Sequence, residues 1–315
     1  MIIDIGETTA HDVARNLVEI RERHGAIALG RVLTLVVVVD EAQAEWALTV
    51  TNAASHEHPS RVIAVVRGPA TDSTRLDAQV RIGGDAGSGE IVVLRVAGAL
   101  TAQPASVVGP LLLPDTPIVA WWPGVPPAEP AGDPVGQLAQ RRITNVAACA
   151  DPVSALQERV AGYTPGDTDL AWSRITTWRA LLASALDQPP HSAVTAARVE
   201  GNSASASVDL LAGWLALALE RPVTRVNLDD AVGVARVELV REDGSLLLER
   251  PPGDTATLTI PGRAPRSAAL ARRHEEQCLA EELRRLDPDE LYGDVLRRGL
   301  RALAETGSTV PAGTP

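Results

Sequence analysis

Residues 32–39, Val-Leu-Thr-Leu-Val-Val-Val-Val, restrict the fold of this chain more than any other segment. The run is mostly β-branched, which favours extended backbone. It offers no wet face, so it reads as a strand covered on both sides, as strands of parallel sheets are. Asp40 follows as a helix N-cap, with Gln43 in the reciprocal position of a capping box. That helix should run to about His56, and Pro59 stops it. Residues 61–66 are a second apolar strand, completing a parallel, right-handed β-α-β unit.

The rest of the chain surrounds this unit. A helix opens at Thr9, buries Val13, Leu17 and Ile20, and ends near His24-Gly25. Leu76, Ala78, Val80 and Ile82 alternate with Asp77, Gln79 and Arg81, so this strand has one wet face and is antiparallel or at an edge. A glycine-rich loop (83–89), a strand (91–96), a short helix (106–113), a strand (117–122) and a Pro-rich loop (123–134) follow. Asp151-Pro152 is an N-cap with Pro at the first helical position. Residues 162–167, Gly-Tyr-Thr-Pro-Gly-Asp, mark the expected domain boundary.

Beyond it, a helix over 169–186 carries Ala171, Ile175, Trp178, Leu182 and Ala185 as its stripe and stops at Pro189-Pro190. A strand (194–199) and a Leu- and Ala-rich helix (208–220) precede three strands at 234–240, 246–249 and 255–260, the first two joined by an Asp243-Gly244 turn. Terminal helices close the chain, one of them capped by Asp287-Pro-Asp-Glu290 with a Leu291, Val295, Leu296, Leu300 and Leu303 stripe. The expected fold is α/β of mixed α+β character. An N-terminal domain (1–162) holds a mixed sheet with the β-α-β unit and flanking helices. A smaller C-terminal α+β domain (163–306) holds an antiparallel meander and terminal helices, and 307–315 is a flexible tail.

Charge and composition narrow the chemistry. The net charge is −11 and the pI about 5.1, so nucleic acid and anionic membranes are poor partners. All 29 basic residues are Arg. A Schiff-base lysine and a P-loop lysine are thereby excluded. Cys149 and Cys278 support neither a disulfide framework nor a cysteine zinc site. The start lacks a signal-peptide pattern, and the longest apolar runs fall short of the roughly 20 residues of a membrane span. The reading is a cytoplasmic protein.

Only 3% of residues are aromatic, with no Phe and 6 Trp, yet Trp121 and Trp122 are adjacent. Neighbours in a strand point to opposite faces. One indole is expected in the core; the other faces outward and needs cover from another element, a ligand or a partner chain. Pro123-Gly124 ends the strand beside them. Trp172 and Trp178 lie on roughly opposite sides of their helix, which makes one of them core and the other an interface candidate. Arg141-Arg142 either grips a carboxylate or phosphate bidentately or complements a helix C-terminus. The candidate partner-binding residues are therefore Trp121, Trp122, Pro123, Arg141, Arg142, Trp172 and Trp178.

Catalytic signals are weak. The 83–89 loop matches no phosphate-binding fingerprint and joins two strands, so a plain turn is the better reading. His56 and His58 do not share a helical face and have no third ligand. Ser88 and Ser203 lie outside any nucleophile elbow, and no carboxylate pair stands out. No catalytic, metal or cofactor residue is assigned. A sugar-phosphate- or nucleotide-binding enzyme or sensor stays open through the glycine loop and the Arg pair, and a self-assembling scaffold through the Trp pair.

Five segments add a family resemblance: 25–35 (Gly-Ala-Ile-Ala-Leu-Gly-Arg-Val-Leu-Thr-Leu), 75–81 (Arg-Leu-Asp-Ala-Gln-Val-Arg), 111–124, 138–144 (Leu-Ala-Gln-Arg-Arg-Ile-Thr) and 167–182. In this order they resemble the glucose-6-phosphate dehydrogenase assembly protein family, OpcA, over nearly the whole chain. The resemblance implies a non-catalytic, cofactor-free partner of glucose-6-phosphate dehydrogenase. Such a partner favours the active oligomer of the enzyme and raises its activity in the oxidative pentose phosphate route to NADPH. Photosynthetic members are linked to thiol control; here neither Cys149 nor Cys278 lies in a Cys-x-x-Cys motif.

Overall fold

A computed structural model describes the chain except for residues 25–32, 83–89, 190, 307 and 312–315. The Gly25 helix end, the glycine-rich loop with Ser88, and Pro190 lie outside the described residues. In chain order the elements are β1 (Ile2–Ile5), α1 (Ala10–His24), β2 (Leu33–Asp40), α2 (Ala44–Ser55), β3 (Ser60–Arg67), β4 (Arg75–Ile82), β5 (Glu90–Ala97), α3 (Pro104–Val108), β6 (Ile118–Trp121), β7 (Arg141–Thr144) and α4 (Pro152–Gly162). They continue with β8 (Asp167–Asp169), α5 (Leu170–Ser173), α6 (Thr176–Leu186), β9 (Val194–Gly201), α7 (Ala206–Leu219), β10 (Val223–Asn227), β11 (Val234–Arg241), β12 (Leu246–Glu249), β13 (Thr255–Thr259), β14 (Arg266–Ala269), α8 (Glu275–Leu283), α9 (Glu290–Asp294), α10 (Leu300–Thr306) and β15 (Ser308–Pro311).

The chain is a mixed α/β protein that divides into two compact units. The first comprises Met1–Ala148, Tyr163–Asp169 and Glu275–Pro288; the second comprises Cys149–Gly162, Leu170–His274 and Asp289–Pro315. Each unit therefore draws on segments distant in sequence.

The first unit holds an eight-stranded sheet in the order β1-β4-β5-β3-β2-β6-β7-β8. Strands β5 to β8 of this order run parallel, while β4 pairs antiparallel with both β5 and β1. The valine run is β2, buried along all but its last residue. It pairs in parallel with β3 on one side and β6 on the other, so it is a central strand. Helix α2 covers one face of the sheet, packing on β2 and β3 and against α8. Helices α1 and α3 cover the other face, where Val13, Leu17, Val107 and Val108 meet Val36, Val38, Ile63, Val65, Val92 and Leu94. At the start of α1 the Thr9 hydroxyl accepts from the Asp12 N–H and donates to its carboxylate, a cap that holds that carboxyl below its usual range.

The two-faced cover decides among the expected covers for the second indole of the Trp pair: it is another element of the chain, α2. The alternation is present: Trp122 joins the α1/α3 side, while Trp121 lies in register with Val37 on the other. Neither ring is outward, however; they are 0% and 2% exposed. Trp121 meets Trp46 of α2 at 6.4 Å between ring centroids. In a sheet layered on both faces, opposite directions both lead into core.

Local expectations at three helix starts also differ. Asp40 makes no cap; a 3-10 turn over Glu41–Gln43 intervenes, and the Asp40 carboxylate pairs with Arg67 at 3.1 Å. The expected 169–186 helix is broken into α5 and α6, which removes the opposite-face argument for Trp172 and Trp178. The last cap is Asp289, accepting from the Tyr292 N–H at 2.9 Å, in place of Asp287. The Asp151-Pro152 start of α4 is as read, with Asp151 Oδ1 accepting from the N–H groups of Val153 and Ser154.

The second unit is built on a seven-stranded sheet, β14-β13-β12-β11-β9-β10-β15. Strands β11 to β14 form an antiparallel meander; β9, β10 and β15 are parallel. Residues 308–311, expected in a loose tail, are the edge strand β15. Helix α7 packs on β9 and β10 and approaches the π-helical turn Val295–Gly299 closely. A Cβ on Gly299 would lie 2.5 Å from the Gly213 carbonyl oxygen, so the crossing requires glycine there.

Because both rings of the pair are core, Trp121→Ala and Trp122→Ala should each cost about 3–5 kcal/mol of stability. Urea unfolding followed by far-UV circular dichroism measures this. A wild-type midpoint for either variant contradicts the packing.

Candidate functional site

Arg141 and Arg142 begin β7, and alternation sends their side chains to opposite faces. Both are buried, at 2% and 7% exposure, and each has a carboxylate from a segment distant in sequence. Arg141 pairs with Glu282 of α8 at 2.6 Å, and its Nη1 donates to the Asp287 carbonyl at 2.8 Å. Arg142 pairs with Asp167 of β8 and donates to the carbonyls of Ala139 and Pro165. Gly166, at φ +98°, completes this second cradle; a Cβ there would sit 2.4 Å from the Gln140 carbonyl oxygen. Neither Arg is free for a ligand or at a helix end. The Arg–carboxylate contacts are the internal ties of the sheet.

A third buried Arg acts at the same edge. Arg61, at the start of β3, pairs with Glu90 of β5 at 2.9 Å and donates to the Leu111 carbonyl at 2.7 Å. Arg61 and Arg141 thus each hold one backbone carbonyl, at Leu111 and at Asp287. Leu112, Leu113, Pro114, Pro117 and Ile118 face Leu286, Asp287 and Pro288 across a crevice of about 990 Å³. Its lining is mostly apolar, and Pro114 and Asp115 are exposed at its rim. Gln140 ties its floor, donating to the Ile118 carbonyl and accepting from the Ile118 N–H through its side chain. Apolar side chains thus line a crevice whose backbone is tied at two points to buried ion pairs. The Thr116 hydroxyl in its lining donates to the Pro114 carbonyl at 3.3 Å.

The sequence candidates fall around this frame in distinct ways. Trp121, Trp122 and Pro123 are buried at the far end of β6 from the crevice. Trp172 and Trp178 belong to the second unit and are also buried, at 1% and 2% exposure. Trp172 donates to Asp289 Oδ2 at 2.9 Å, lies under the Arg179 guanidinium at 3.6 Å, and meets Tyr292 at 5.7 Å. Trp178 lies 5.2 Å from the Arg250 guanidinium, whose pKa is pushed down to about 10, mainly by burial and then by the charge of Arg272. In the same unit, burial pushes the Asp209 carboxyl up while its partner Arg225 opposes this. The Nδ1 of His56, just past the end of α2, bonds back to the Asn52 carbonyl. Among the described residues, no group of three or more His, Cys, Asp or Glu side chains is arranged to hold a metal.

Sequence reasoning missed Glu282, Arg61, Glu90 and Trp46. Glu282 had a signal: it shares the buried spacing of α8 with Cys278, Leu279 and Leu283, where a lone acid needs a partner. Trp46 had one too, since it lies off the buried Ala44, Ala47, Leu48 stripe of α2 and beside Glu45.

Two family models match the chain. Residues 51–161 match the N-terminal domain, and residues 165–296 the C-terminal domain, of the glucose-6-phosphate dehydrogenase subunit family, OpcA. No curated protein matches. Among solved structures, glucose-6-phosphate 1-dehydrogenase from Mycobacterium avium is similar at 11% identity and TM-score 0.38, over 89% of this chain and 94% of that one. Trehalose-6-phosphate from E. coli bound with UDP-2-fluoro glucose is similar at 10% identity and TM-score 0.26, over 62% of this chain and 64% of that one. Neither likeness is close enough to bear on chemistry.

Both buried pairs of β7 join residues from the two matched spans, Arg141 to Glu282 and Arg142 to Asp167. Glu282→Leu should cost about 3–5 kcal/mol, because it leaves Arg141 buried and uncompensated. Adding Arg141→Met should recover most of that loss. Chemical denaturation of the two variants is the measurement; equal stability of Glu282→Leu and wild type contradicts the role of the pair.

Proposed function

The chain belongs to the OpcA family of glucose-6-phosphate dehydrogenase assembly proteins, and from that premise we propose that it is a non-catalytic activator of the dehydrogenase. It binds the enzyme and favours its active oligomer, supporting NADPH supply by the oxidative pentose phosphate route in the cytoplasm. The observation that carries this reading is the pair of family matches, which together span most of the chain and both carry the dehydrogenase in their description. Activation of this kind needs no reacting group. It needs tighter binding to one state of the enzyme than to another. About 10⁴-fold discrimination moves an equilibrium from 1:99 to 99:1.

The crevice walled by 112–118 and 286–288 is the proposed contact. Its apolar side chains are partly accessible, and its backbone is fixed by Arg61 and Arg141. In this reading Arg141 positions the surface from beneath, while Arg142, Trp121, Trp122 and Pro123 hold the same sheet together away from it. Trp172 and Trp178 likewise support their own unit. The sugar-phosphate reading loses one of its two grounds, since Arg141 and Arg142 already hold Glu282 and Asp167.

The test mixes the protein with its cognate dehydrogenase and follows NADPH formation and the mass of the eluting complex. Co-elution with a raised rate is expected; separate elution with an unchanged rate contradicts the proposal. Leu113→Glu, on the half-buried crevice wall, should fold normally and weaken the complex roughly 30-fold, the effect of losing a hot-spot side chain.

A further inference from the structure

A second crevice, of about 400 Å³, lies at the carboxyl ends of the parallel strands. Its residues come from both sides of the point where the strand order reverses. After β2 the chain crosses through α2 to β3 on one side, while β6 and β7 lie on the other. Gln43 and Trp46 follow β2; Asn145, Ala147 and Ala148 follow β7; Glu275 begins α8. Open α/β sheets bind ligands at this position, and the volume suits a small molecule.

Three observations describe what fits. First, Trp46 lines the crevice and is 40% exposed, with its other contact on the buried Trp121. It presents an indole whose ring meets a second indole at a tilt of 49°. Second, Asn145 is 3% exposed and its amide is only half used. Its Nδ2 donates to the Pro123 carbonyl at 3.2 Å, while its buried Oδ1 has no hydrogen-bond partner among the described residues. The turn that carries it is fixed, because Asp169 Oδ2 accepts from Thr144 Oγ1 at 2.6 Å and from the Val146 N–H at 2.9 Å. A buried acceptor without a donor costs free energy that a ligand N–H recovers. Third, the charged residue in the lining is Glu275, no basic residue among the described ones lines the crevice, and the nearby Glu41 and Glu45 are paired with Arg95 and Arg81. An anionic ligand such as a bare phosphate is disfavoured there.

We propose that this crevice binds a neutral planar heterocycle bearing an exocyclic amine, of the adenine type, stacked on Trp46 with the amine donating to Asn145 Oδ1. Aromatic stacking and amide recognition of an amino-purine edge are the two interactions such a base uses. Gln43 supplies a second amide at the rim.

The probe is adenosine titrated into the isolated full-length chain, followed by calorimetry and by quenching of Trp fluorescence. This readout does not involve the dehydrogenase, so it stands or falls apart from the proposed function. Saturable binding is expected. Trp46→Ala, at an exposed position that leaves the fold intact by circular dichroism, should weaken it by about tenfold or more. Inosine, which places a carbonyl where adenosine carries its amine, should bind about tenfold more weakly. Absence of saturable binding by the wild-type chain overturns the proposal. So does Trp46→Ala binding adenosine as tightly as wild type, or inosine binding as tightly as adenosine.

Discussion

The first unit depends on guanidinium groups buried among its strands. Desolvating a charge costs several kcal/mol, and the cost is offset only by a well-placed counter-charge and hydrogen bonds. Arg141 and Arg142 are consecutive, so alternation gives them opposite surroundings and two different carboxylates. Glu282 lies 141 residues from its partner and Asp167 lies 25. The buried charges of β7 are therefore compensated only when α8 and β8 pack beside it. In a chain without Lys, the planar fork of Arg also explains how one side chain can hold a carboxylate and a backbone carbonyl together.

The same residues that stabilise the sheet shape its surface. Arg61 and Arg141 each direct one arm to a carboxylate and another to a loop carbonyl, at Leu111 and Asp287. The proposed docking surface is thus a by-product of core electrostatics. Loops tied this way enter a complex with little entropy left to lose, which favours binding without adding contact area. At the opposite ends of the strands, Trp121 plays a comparable part by backing Trp46.

Long periodic segments are legible in the sequence: β2, β3, the alternating β4, the first three strands of the meander, and the α1 and α7 helices. Their signals are local, because burial on one or both faces dictates residue type at each step. Strands β1, β10, β14 and β15 are not legible. Each is short and takes its identity from a neighbouring strand. For the Trp pair the alternation is legible and the surroundings are not, since a strand of four residues does not reveal how many layers cover it. The Arg pair reads as exposed equipment because its counter-charges lie on other segments, and no spacing rule links Arg141 to Glu282. Trp172 and Trp178 read as opposite faces of one helix, and the break after Ser173 removes that geometry.

In the proposed function, this member of the OpcA family meets glucose-6-phosphate dehydrogenase through a surface that buried Arg residues hold in place. Hydrogen–deuterium exchange of this chain, alone and with the dehydrogenase, addresses it directly. Slowed exchange is expected in peptides covering 112–118 and 286–288. Unchanged exchange there, with protection elsewhere or nowhere, contradicts it.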